Sequence, residues 1–145
     1  MSYMWADTLL LAEGAHLLRL LAWGAASLLV GSSLLAWLRT GARRSTLLEQ
    51  FAIQTTGWGA AEIALAAVAR TSLRIRDLAG ATRLDRLLWL NIGLDAGYMM
   101  FGLALAIVGW RLARRLGHVG AGIAIVVQGG ALILLDLAFA IQISR

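Results

Sequence analysis

Three carboxylates stand where a carboxylate is costly: Glu62, Asp95 and Asp136 each fall well inside a long apolar run. If those runs cross a bilayer, an unpaired charge at such a position costs at least about 2.5–3.5 kcal/mol. Counted at 1.5 Å per residue from the ends of the runs nearer the chain termini, the three lie roughly 10, 12 and 10 Å deep. Ser27, on a fourth run, reaches about 12 Å on the same count. Three acids from three helices in one layer can bind what none could hold alone. No lysine or arginine falls in that layer, so a proton, a metal ion or an organic cation is the candidate counter-charge. The competing reading gives the acids a packing role, as protonated groups that hydrogen-bond the amides of Asn91, Gln54 or Gln128 and fix helix register.

The neighbours of these acids are spaced for helices. Asn91, Asp95, Tyr98 and Gly102 step by four, three and four residues, one narrow stripe that should face protein rather than lipid. Gln54, Trp58 and Glu62 are successive i,i+4 neighbours, and Gln128 precedes Asp136 by the same eight residues that separate Gln54 from Glu62. This predicts an amide layer of Gln54 and Gln128 about 22 Å from the terminal side and an aromatic layer of Trp58 and Tyr98 near 16 Å, with the carboxyl layer beneath. The aromatic rings there would add cation–π attraction for an ammonium-bearing molecule. The glycines have a separate use. Gly93 and Gly97 form a G-x-x-x-G roughly opposite the polar stripe, Ala104 extends that small-residue face, and Gly102 leaves room for side chains at the amide layer; small residues let helix backbones approach closely. A neighbouring helix, a second copy or a partner in a membrane complex would suit the Gly93/Gly97 face.

The elements that must position these groups follow from composition. Of 145 residues, 60% are apolar and 14% charged, and mean hydropathy is +0.77, against about 45–50% apolar and about 25% charged in soluble domains. A chain this short has one small core, so its surplus apolar surface implies lipid as solvent. The bilayer core requires about 20 apolar residues per helix. Four runs qualify, at about 20–38, 51–69, 87–110 and 119–143. The predicted fold is all-α: one membrane domain over residues 1–145, an up-down bundle of four transmembrane helices with a short interfacial helical extension over Leu9–Arg19. Trp23-Gly24-Ala25-Ala26-Ser27 and Trp58-Gly59-Ala60-Ala61-Glu62 form a short internal repeat, which abundant glycine and alanine also produce by chance.

Charge and residue usage exclude several function classes. The net charge is +5, but the arginines punctuate apolar runs instead of massing in a polar domain, which argues against nucleic acid and leaves membrane lipids as the partner. With no cysteine and two histidines, thiolate chemistry and Cys-ligated metals are out, and no cofactor is evident. His16 is read as interfacial, beside Glu13 and Arg19, and His118 as a loop residue on the far side, so the two cannot share a metal or haem. Met1–Asp7 carries no Lys or Arg, so a cleaved signal peptide is not expected. Short arginine-bearing connections put both termini on one side. The arginines after the first run outnumber those before it, which favours a non-cytoplasmic side for the termini.

The segment Leu90-Asn91-Ile92-Gly93-Leu94-Asp95-Ala96-Gly97-Tyr98, with Gln128 and Asp136 downstream, resembles a family of small uncharacterised bacterial four-helix membrane proteins. The resemblance implies the four-span fold and a bacterial inner membrane, and no substrate. Three function classes stay open on the sequence: a protein that binds or transports protons or a cation, an accessory or structural subunit of a larger membrane complex, and, least favoured, an intramembrane enzyme.

Overall fold

A computed structural model of the protein describes residues 4–41, 44–112 and 114–144, and among them all regular structure is helical. The helices are α1 (Met4–Thr40), α2 (Thr46–Thr71), α3 (Leu78–Arg111) and α4 (Leu116–Ile143), and each predicted run lies inside one of them. Local chemistry sets two of the starts. Ser45 caps α2 by accepting from the Leu48 amide, and Asp77 caps α3 by accepting from the Gly80 amide at 2.7 Å, each satisfying a donor that the first turn leaves free. The positive φ of Arg114, 46°, turns the chain between α3 and α4.

Three of the four helices, α1, α3 and α4, are long and apolar enough to cross a membrane. α2 falls short of that mark because Gln50, Gln54, Thr55, Thr56 and Glu62 dilute its apolar residues. Two of these, Thr55 and Glu62, are buried. The predicted extension over Leu9–Arg19 continues the first span as one helix. α1 runs unbroken for 37 residues, about 55 Å, with Leu9, Glu13, His16 and Leu17 buried against the other helices. The reason is a continuous face: these four follow i, i+4, i+7, i+8 spacing, and Ala12 joins Leu84, Leu88, Ile92, Phe139, Ala140 and Ile143 in an apolar cluster shared by α1, α3 and α4.

The packed pairs α1–α2 and α3–α4 run antiparallel. Gly24 lies against Gly59 and Gly31 against Thr56 along the α1–α2 seam, and Gly102 against Ile125 and Gly109 against His118 along the α3–α4 seam. α2 and α4 run side by side in the same direction, with Gly117 against Thr46 and Gln50. The Trp-Gly-Ala-Ala repeat therefore has a packing use, since it sets its two glycines face to face. A Cβ on Gly59 would stand 2.5 Å from the Leu28 nitrogen and 2.6 Å from the Gly24 oxygen, both backbone atoms that cannot yield separately. Gly59→Val should accordingly destabilise the bundle by about 1–3 kcal/mol. Gly97→Val should change fold stability by less than about 0.5 kcal/mol, because a Cβ on Gly93 or Gly97 meets nothing within 4 Å. Unfolding of both variants in mixed micelles checks this; equal losses would mean that the α1–α2 seam is not tightly packed.

Candidate functional site

Helix α3 rests on α4, and no Cα of α3 comes within 8 Å of one in α2 or α1. A cleft opens between α2 and α3 as a result, with α4 and the first half of α1 as its floor. Glu62 of α2, Asp95 of α3 and Asp136 of α4 all line it. Trp58 and Tyr98 bridge its walls edge to face, with ring centroids 5.4 Å apart, a favourable aromatic geometry. Leu65, Leu87 and Leu94 line the cleft while exposed on the outer surface, so its rim is apolar.

The three acids have different surroundings. Glu62 is 6% exposed, and neither carboxylate oxygen has a hydrogen-bond partner among the described residues. Asp95, on the opposite wall, is also buried. Asp136 is paired: His16 Nε2 stands 3.2 Å from its Oδ1. The His16 ring stacks on Phe139 with centroids 4.6 Å apart and planes 10° from parallel. His16 is thus a buried partner of the carboxyl layer rather than an interfacial residue. The layer has a basic side chain that a search for lysine and arginine overlooked. With the proton on Nε2 facing Asp136, Nδ1 keeps a lone pair, and that atom is buried without a partner. Among the described residues, no three His, Cys, Asp or Glu side chains stand close enough to hold one metal ion.

The amide layer is assembled differently from the expectation. Gln128, 1% exposed, accepts from Trp23 Nε1 at 2.7 Å and donates from Nε2 to Ser27 Oγ at 3.1 Å. Ser27 consequently stands at the amide level, not with the carboxyls. The depth count began α1 at Leu20, whereas the helix begins at Met4 and slides farther along α4. Gln54 is half-buried, and Gln128 takes its partners from α1 in its place. Of the polar stripe on α3, Asp95 and Gly102 are buried, while Asn91 and Tyr98 are exposed along the cleft wall. The stripe does not face protein throughout, because α3 packs closely on α4 alone. Gly102 packs at α4, where a Cβ would come 2.8 Å from the Gly122 oxygen. Gly93, Gly97 and Ala104 are exposed, and among the described residues a Cβ on Gly93 or Gly97 meets nothing within 4 Å.

At the terminal end of the cleft, Arg76 grips Glu13 with both branches of its guanidinium, Nε to Oε2 at 2.9 Å and one terminal nitrogen to Oε1 at 2.6 Å. Both residues line the cleft, and Glu13 is 6% exposed. The hydrogen bond to Glu13 holds the Arg76 guanidinium above its ordinary range, with burial opposing and the Glu13 charge adding to the rise. Sequence reasoning missed this pair and the His16–Asp136 pair. The signal was the three-residue stepping of Glu13, His16 and Arg19, which puts a charged face on the first turns of α1. Arg43 and Arg145, counted among the flanking arginines, lie outside the described residues.

No curated protein and no solved structure matches the chain. A family model described as a family of unknown function, DUF6992, matches residues 19–137, a stretch that includes Trp58, Glu62, Asp95, Tyr98 and Asp136, and the chain belongs to that family.

Proposed function

We propose that the protein spans a membrane with all four helices and binds a proton or a cation in the α2–α3 cleft, as part of a transport cycle. The observation that carries this reading is Glu62, a buried carboxyl with both oxygens unpartnered among the described residues, facing a cleft that also presents Asp95 and Asp136. A carboxyl in that position needs a proton or a positive charge. α2 is the least apolar helix, and it completes the bundle by turning Thr55 and Glu62 inward. The likeness of the Leu90–Tyr98 segment to small bacterial four-helix membrane proteins supports a bacterial inner membrane. Arginine totals on the two sides nearly balance, so the orientation rests on the first span, where Arg39 and Arg44 after it outnumber Arg19 before it, which supports a cytoplasmic far side and non-cytoplasmic termini.

The test uses the full chain in lipid nanodiscs and tetraphenylphosphonium as the probe cation. The groups facing the cleft are Glu13 and His16 of α1, Glu62 of α2, Arg76, Asp95 of α3 and Asp136 of α4. Arg76 stays charged throughout, and Glu13 is committed to it. Cation and proton compete for the remaining acids, so binding should weaken as pH falls, by up to about tenfold per pH unit where one proton is displaced. It should also release protons into weakly buffered solution. Absence of saturable binding, or binding without proton release and independent of pH, would overturn the reading.

A second reading, an accessory subunit of a membrane complex, is favoured by one specific observation: among the described residues, a Cβ on Gly93 or Gly97 of α3 meets nothing within 4 Å. Crosslinking from a cysteine placed at position 97 distinguishes the two. Crosslinks to a different membrane protein, with no cation binding, favour the subunit role.

A further inference from the structure

Among the described residues, the buried atoms without a hydrogen-bond partner that line the cleft are Glu62 Oε1, Glu62 Oε2 and His16 Nδ1. All three can accept. The carboxylate oxygens have no proton to give when ionised, and in the neutral tautomer that donates from Nε2 to Asp136, 3.2 Å away, His16 keeps a lone pair on Nδ1. Glu62 and His16 are each 6% exposed, so bulk water does not satisfy them, and a buried acceptor left unsatisfied is costly. An ion with no N–H bonds answers the charge of the cleft but leaves these lone pairs unmet. A bare metal ion is disfavoured for another reason, since among the described residues no three ligating side chains converge.

The rest of the cleft describes the body attached to the charge. Its rim residues Leu65, Leu87 and Leu94 are at least half exposed on the outer surface of the helices, so an apolar group can reach the cleft sideways between α2 and α3. At the level of Trp58 and Tyr98 it meets aromatic rings, which attract both apolar groups and cations. We infer that the ligand of this cleft is a lipophilic primary or secondary amine in its ammonium form, its N–H groups donating to Glu62 and His16 and its apolar body lying between α2 and α3. This inference rests on the reading that the cleft binds a cation, and it names the class of cation.

Two probes that differ only at nitrogen decide it: 4-phenylbutylamine and its N,N,N-trimethyl counterpart, both cationic at neutral pH. Binding to the full chain in nanodiscs is measured calorimetrically, with partitioning into protein-free nanodiscs subtracted. Wild type should bind the primary amine about tenfold or more tightly than the trimethyl compound, the worth of hydrogen bonds to a charged group. His16→Phe, which keeps the stacking on Phe139, should narrow that preference to within about threefold. Equal or tighter binding of the trimethyl compound by wild type overturns the inference, and that comparison needs no variant to fold. If tetraphenylphosphonium still binds with proton release, the failure belongs to the ammonium inference alone. If no cation binds at all, the cation reading fails with it.

Discussion

Replacing His16 with leucine is expected to destabilise the protein by about 3 kcal/mol or more, and replacing Asp136 with leucine in the same chain is expected to restore most of that loss. The His16 and Asp136 side chains are 8% and 7% exposed, and removal of the imidazole leaves a buried carboxylate without its partner. Two magnitudes compete here. Interhelical hydrogen bonds between neutral groups in membranes average only about 0.6 kcal/mol, whereas an uncompensated buried charge costs about 3–5 kcal/mol. The second governs where the orphaned group is a buried carboxylate. Unfolding of the wild type, both single variants and the double variant in mixed micelles gives the coupling energy directly. Additive losses would show that the two side chains do not depend on each other.

Glu62→Gln should do the reverse of an ordinary core substitution: stability holds or rises while cation binding falls by more than about tenfold. The carboxyl has no partner to lose among the described residues, and a neutral amide is far less costly to bury than an ionised carboxylate. What disappears is the charge that attracts a cation and the proton that the cation displaces. Asp85→Asn is the matched control, since Asp85 is exposed on α3 and does not line the cleft. It should leave binding unchanged. If Glu62→Gln binds tetraphenylphosphonium as wild type does, Glu62 serves packing alone.

The legible part of the fold was what composition and period encode. Arginine-bearing breaks between apolar runs mark the four helices, and the spacing of Glu62 with Trp58, and of Asp95 with Tyr98, places acid and ring on common faces. The cleft gathers all four. What the sequence conceals is the slide of one helix along another. Ser27 pairs with Gln128 rather than joining Asp136, an offset of eight residues, or about 12 Å along α4, because α1 begins well before its most apolar stretch. The same slide brings His16 level with Asp136; spacing within α1 marks His16 as part of a charged face but not the level of α4 that it meets. Nor does periodicity say which faces go unused: Gly93 and Gly97 have the pattern of a helix seam, yet the crossings are built from Gly24, Gly59, Gly102 and Gly122. A small residue permits close approach without specifying who approaches.

The central claim is that Glu62 holds a proton in the cleft and yields it to a cation. Infrared difference spectroscopy of the full chain in lipid, recorded with and without tetraphenylphosphonium, follows that event at the carboxyl itself. The account predicts loss of a protonated-carboxyl band on cation binding, matched by gain of carboxylate bands, and the disappearance of both signals in Glu62→Gln but not in Asp85→Asn. A saturating cation that leaves the carboxyl region unchanged, or a band that persists in Glu62→Gln, would contradict it.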